Sequence, residues 1–241
     1  MTPQQALADL NRLGTAQNRK VYARHGVGEK MFGVSYANQN ALAKKIKTDH
    51  ELALELWNSE NHDARVLATM IADADNVTAG QINEWAKAMD NYVLTDALTS
   101  FVAKTRFAQA KADQWAKDRK EFKSAGGWAL VTHLARNEAN ELPDEYFETR
   151  LAEIEKQIHN RPNRTRYAMN LALIGIGIRN AKLRKQAESA AKRIGPVEVD
   201  HGETGCKTPD AVSYIANAWQ RKKASKPPKK KAPAKRRKPT A

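Results

Sequence analysis

Residues Glu51–Asp73 read ELALELWNSENHDARVLATMIAD, and this stretch decides the fold. Within it, Val66, Leu67, Met70 and Ile71 form one apolar stripe at helical spacing, with Arg65 on another side. Asp49, just upstream, is a suitable N-cap for ELALELW. Between the two apolar runs, Asn58–Asn61 supplies the polar residues of a tight break. The stretch therefore reads as two short helices joined by a turn. Neither can bury its apolar face alone, so each pair needs a neighbour to stack on.

The same pattern recurs along the chain. Thr78-Ala-Gly-Gln81 matches a capping box, followed by Ile82, Trp85, Ala86 and Met89. Ser35 can cap YANQNALAKKI. First members of pairs begin near 49, 78, 108 and 143, and second members near 61, 91, 121 and 163. No alternating strand run interrupts residues 1–194. A helix-turn-helix unit of about 30 to 40 residues predicts an all-α fold, an α-solenoid of HEAT- or armadillo-like pairs with one set of helices lining a concave groove. Gly175 and Gly177 follow no strand and match no phosphate loop, so close helix packing explains them. Residues 195–207, GPVEVDHGETGCK, break the pattern, with Val197–Val199 as a short extended piece. A last helix follows, with Thr208 as cap, Pro209 in the first helical position and Asp210 at its positive end. The folded domain expected from this reading is 1–220.

The remaining segment, 221–241, reads RKKASKPPKKKAPAKRRKPTA; eleven of its residues are Lys or Arg and none is acidic. Such a composition cannot offset the entropy of ordering, so a disordered polycationic tail is expected. Its natural partner is a polyanion, because neutralised phosphates release condensed counterions. Lys229, Lys230, Lys231, Arg236 and Arg237 are its candidate phosphate contacts. The formal charge of +14 resides mostly there, and residues 1–220 carry 30 basic against 27 acidic side chains. A nucleic-acid surface on the folded part must then come from uneven placement of charge. Cys206 is the only cysteine, which excludes an intramolecular disulfide and suits a reducing interior. The N-terminal MTPQQALADLNRLG lacks the order of a signal peptide, and no apolar run approaches a bilayer span. The expectation is a cytoplasmic, nucleoid-associated monomer with no membrane partner.

Glu51–Asp73, together with MFGVSYANQNALAKKIK (Met31–Lys47) and the Asp-rich turn before Thr78, resembles the DNA alkylation-repair family of HEAT-like proteins. Val197–Ala211 (VEVDHGETGCKTPDA) resembles one branch of it, so the likeness spans roughly residues 20–215. The resemblance implies a curved helical solenoid holding double-stranded DNA in its concave face. For active members it also implies hydrolysis of the N-glycosidic bond of cationic alkylated purines. It implies no metal, nucleotide or redox cofactor. Such a base is already a good leaving group, so a carboxylate near the sugar can do most of what remains. The family's Trp, three residues, Asp pattern falls on Tyr92-Val-Leu-Thr-Asp96. That assigns Asp96 as the catalytic carboxylate and Tyr92 as the ring facing the lesion, one helical turn apart. The family's Arg in the next inner helix falls on Ser124 or Ala125, with Lys123 adjacent but about 100° away around the helix. A further family Trp is replaced near Asn170-Leu171.

Lys44, Lys45 and Lys47 with Arg65, and Arg164 with Arg166, are candidate phosphate-gripping residues, as is Lys123. Taken singly, each reads as a solvated charge, and Asp96 alone reads as a surface or packing carboxylate. Asp200, His201, Glu203 and Cys206 do not match a zinc spacing and read as a structured turn. The six histidines lie in no nucleophile signature. Three functions fit: an alkylpurine glycosylase, a non-catalytic DNA-binding member that senses shape, or a helical-repeat scaffold for another protein.

Overall fold

Short polar side chains start most of the helices. In the computed structural model, which describes residues 1–137 and 139–224, Thr2 caps α1 (Pro3–Leu13) and Thr15 caps α2 (Ala16–Arg24). Ser35 caps α3 (Tyr36–Ile46), and Asp49 caps α4 (His50–Asn58) by accepting from the Leu52 amide. Asn61 caps α5 (His62–Ile71), and Thr78 with Gln81 forms the predicted capping box of α6 (Ala79–Ala86). Asn91 caps α7 (Tyr92–Val102). Next come α8 (Ala108–Trp115), α9 (Glu121–Arg136) and α10 (Asp144–Gln157), then a single 3₁₀ turn (Ile158–Asn160). The chain continues through α11 (Asn163–Arg179), α12 (Ala181–Ile194) and α13 (Ala211–Ala224). Every predicted pair is present, each helix starting within about a residue of its expected place. Among the described residues there is no strand, only an isolated bridge between Gly14 and Val34.

The second members stack side by side. α3 packs on α5, α5 on α7, α7 on α9, α9 on α11 and α11 on α13, while α4, α6, α8 and α12 each back a member of that row. The core runs continuously between the two layers. Trp57 of α4 stacks on Trp85 of α6 at 4.3 Å, and Trp85 meets Phe101 of α7 at 5.7 Å. Two glycines inside helices allow neighbouring helices to approach closely. A Cβ on Gly127 of α9 would lie 2.1 Å from the Ala116 nitrogen at the end of α8, and one on Gly177 of α11 would lie 2.5 Å from Ile215 of α13. The packing role expected for Gly175 and Gly177 is what the helices use.

A fully buried carboxylate holds the N-terminal helices to the array. Asp63 of α5 accepts from the amides of Phe32, Gly33 and Val34 at 2.7, 3.0 and 2.8 Å, and from the Gln39 side chain at 3.3 Å. Tyr22 of α2 donates to the Val34 carbonyl at 2.6 Å, so the same loop positions α2.

Two expectations at the C-terminal end need correction. Asp210, not Thr208, caps α13: its carboxylate accepts from the Ser213 amide at 2.8 Å, and Pro209 lies outside the helix. Thr208 instead contacts His201 through its hydroxyl. α13 also runs to Ala224, so the helix continues past the expected domain end at 220 because Lys222 can pack along Trp219 and donate to the Ile178 carbonyl. Val197–Val199 forms no ladder. Lys229, Lys230, Lys231, Arg236 and Arg237 lie outside the described residues.

Asp63→Ala should leave three backbone amides without their acceptor and destabilise the protein by about 3 kcal/mol or more. Urea unfolding measures this, and a loss below about 1 kcal/mol contradicts the anchoring role.

Candidate nucleic-acid interface

α9 decides what gathers on the inner row. Ala125, Ala129 and Thr132 recur at helical spacing along one face and form the floor of a cavity of about 350 Å³. Because these side chains are short, α7 and α11 can bring larger groups together above them. α7 contributes Tyr92 and Asp96; α11 contributes Arg164 and Tyr167; His133 and Arg136 close one end.

Each group is held by its own local chemistry. The buried Asn91 cap fixes the first turn of α7 by accepting from the Leu94 amide at 2.9 Å. The Tyr92 hydroxyl is hydrogen-bonded to Nδ1 of His25, which caps the C-terminal end of α2, and the two rings meet edge to face at 5.4 Å. Glu121, at the start of α9, reaches across to the first turn of α11. Its carboxylate accepts from the Arg164 amide at 2.6 Å, and its carbonyl accepts from the Thr165 hydroxyl at 3.0 Å. That contact aims Arg164 at the cavity. Its guanidinium carbon lies 3.9 Å from the Tyr92 ring centre and 5.0 Å from that of Tyr167, an arginine between two aromatic faces. Tyr167 rests edge to face on His201 at 5.3 Å. The turn carrying His201 is docked by a reciprocal pair of bonds between Asn163 and the Asp200 backbone, at 2.6 and 2.8 Å. Residues 195–207 thus back Tyr167 from behind the cavity. Among the described residues no three His, Cys, Asp or Glu side chains cluster as a metal site.

Asp96 is open to solvent, yet protein surrounds it in most directions, as befits a carboxylate on a groove floor. The lost hydration pushes its pKa up to about 6, against the opposing pull of Arg164. Contact with water on the open side moderates that rise. No described residue donates a hydrogen bond to this carboxylate, and no described carboxylate pairs with the Arg164 guanidinium. Burial, then neighbouring arginines, lower the pKa of His25, His133 and His201, which keeps these rings neutral at pH 7. The permanent charges around the cavity are therefore two arginines against one weakened acid.

The other candidate residues are placed as follows. Lys44 and Lys45 are exposed in the last turn of α3, where they complement its dipole, and Lys47 is its C-cap. Arg65 turns back to α4, donating to the Trp57 carbonyl at 3.3 Å with its guanidinium 5.5 Å from the Trp57 ring. It lines a separate cavity beside Lys30 and Glu60, so the structure does not join it to Asp96. Lys123 is paired with Asp118 at 2.9 Å and lines none of the Asp96 cavity. Arg166 lies two residues beyond Arg164, on the opposite side of α11. Ser124 is buried, donates to the Ala116 carbonyl and accepts from Arg161 at 2.6 Å, while Ala125 lines the cavity. Leu171 stands in the cavity wall, and Asn170 is turned away to the Pro209 carbonyl at 2.9 Å. Reading the sequence did not find His25, His133, Arg136 or Tyr167. Each lies on a different element from Asp96, and only the stacking of those elements brings them to it.

Comparison with known proteins agrees with this arrangement. The pattern of the DNA alkylation repair enzyme family matches residues 6–215. An uncharacterized protein of Listeria innocua is 32% identical over 219 residues, covering 88% of this chain and 95% of that protein. Another, from Listeria monocytogenes, is 31% identical over 221 residues, covering 89% of this chain and 96% of its own length. A solved structure described as a new family of proteins related to the HEAT-like repeat DNA glycosylases, with affinity for branched DNA structures, superposes with a TM-score of 0.84. It is 29% identical and covers 92% of this chain and 95% of that one.

The Asp96 environment has a pH signature. A folded-state pKa of about 6 lies above the ordinary 3.8, so the folded form holds the proton more tightly and loses stability as pH rises through 6. Asp96→Asn should therefore melt above the parent protein at pH 8, with the difference vanishing as pH falls below 3.8. Melting curves followed by circular dichroism across this range check it; a variant less stable than the parent at pH 8 contradicts an unpaired acid with reduced hydration.

Proposed function

Because this chain belongs to the DNA alkylation repair enzyme family, we propose that it is a DNA-binding member that grips the phosphates of branched DNA on its inner helical row and does not depend on base excision. The observation that carries this reading is Arg164, whose guanidinium stands 3.9 Å over the Tyr92 ring. In the glycosylase scheme that ring would receive a cationic alkylated purine. Here the protein's own cation occupies the face. A second cation brought there meets like-charge repulsion, which the single Asp96 carboxylate, already facing Arg164, offsets only in part. An anion meets the reverse: Arg164 and Arg136 attract it, and the Arg164 fork suits a phosphate geometrically.

Branched DNA presents more such anions than a straight duplex does, since several backbones converge where the arms meet. The affinity described for the structural relative points the same way. The polycationic segment 221–241 adds sequence-independent attraction and keeps the folded part near its target.

A second reading retains one specific support. Asp96 carries a carboxyl group with no bonded partner, and it is the residue that the resemblance assigns as the catalytic carboxylate. In that reading Asp96 stabilises positive charge on the sugar as the base departs.

One pair of assays separates them. Incubation with N7-methylguanine duplex should release no base, while a four-way junction should bind more tightly than a duplex of equal length. Arg164→Ala should weaken junction binding about tenfold and lower the slope of log K against log salt by about one. Base release by the parent protein that disappears in Asp96→Asn would establish the second reading instead.

A further inference from the structure

A second cavity, of about 460 Å³, lies on the inner row between α9, α11 and α13. It is continuous with the Asp96 cavity, because Thr132, Arg136 and Leu171 belong to the walls of both. Its volume is within the range of pockets that hold small organic groups, about 300–1,000 Å³. Ile174 and Ile178 make its floor apolar, while Arg136 and Arg221 place cations on it.

Tyr214 stands in the wall with 44% of its surface exposed, one of only three large apolar residues so exposed among the described residues. Tyr92 and Tyr167 line the adjoining Asp96 cavity. Inner-row helices α7, α11 and α13 thus each contribute a tyrosine to the two joined cavities, together with Arg164, Arg136 and Arg221.

Rings and cations alternating along a groove are what a strand with unstacked bases requires. A paired duplex offers phosphates and groove edges, and its base faces are covered by neighbouring pairs. Only an unpaired base has a free π-face for a tyrosine, and stacking of that kind is indifferent to sequence. We propose that the cavity between α9, α11 and α13 binds an unpaired nucleotide of branched DNA, its base stacked on Tyr214 and its phosphates contacted by Arg136 and Arg221. This rests on the DNA-binding reading above and specifies which part of the branch occupies the far end of the inner row.

The test compares two probes on the full chain: a fully paired four-way junction, and the same junction carrying a single-stranded thymidine flap. Fluorescence anisotropy at fixed salt reads both affinities. The native protein should bind the flapped probe about tenfold more tightly. Tyr214→Ala should abolish that preference, leaving the paired junction within about twofold of native binding, and Tyr214→Phe should retain it. A flap carrying 5-iodouracil should crosslink on irradiation to the peptide containing Tyr214. Equal affinities for the two probes in the native protein, or a preference that survives Tyr214→Ala, overturns the proposal. If the paired junction itself binds no better than duplex, the parent reading fails as well; tight junction binding with no Tyr214-dependent preference removes this inference alone.

Discussion

The small residues on one face of α9 are the constraint from which the inner surface follows. Ala125, Ala129 and Thr132 leave room above the helix, so Tyr92 from α7 and Arg164 from α11 can meet across it. A long side chain at any of these positions would fill the space and push the flanking helices apart. Gly127 does the corresponding work on the other side of α9, where its missing Cβ admits the end of α8. One helix thus sets both the spacing between layers and the depth of the cavity.

Within that cavity, two departures from the glycosylase pattern act in the same direction. The pattern's arginine is replaced by Ser124 or Ala125, the first tied into a structural hydrogen-bond cluster and the second too short to reach anything. An arginine nonetheless stands in the cavity, delivered from the next helix in the row and aimed by Glu121. On the reading proposed above, a cation carried by α11 and set on the aromatic face suits that surface to phosphate, with the Asp96 carboxyl beside it.

The fold was largely legible because its determinants are local. Asp49, Ser35 and the Thr78–Gln81 box act within one turn of chain, and the apolar stripe of α5 needs only its own periodicity. The site was legible in part. Asp96 and Tyr92 could be placed through the family pattern, and Arg164 through its basic character, although its position beside Asp96 was not foreseen. His25 and Tyr92 are in contact across 67 residues of sequence, and no local signal records such a pairing. Arg65 stands apart from Asp96 for a physical reason: its stem and guanidinium pack against Trp57. Lys123 likewise answers to a nearby carboxylate, Asp118. At the last helix, Thr208 and Asp210 are both able caps, and His201 decides between them by engaging the Thr208 hydroxyl.

In the function proposed here, the Arg164 guanidinium, set on the Tyr92 ring, meets DNA phosphate. Nitrogen-15 NMR of the arginine side chains observes that group directly. The Arg164 Nε–Hε signal should stand apart in the free protein, displaced by the ring current of Tyr92. It should then shift on titration with a four-way junction, in step with complex formation. A signal at the ordinary arginine position, or one that stays still while the junction binds, would contradict the account.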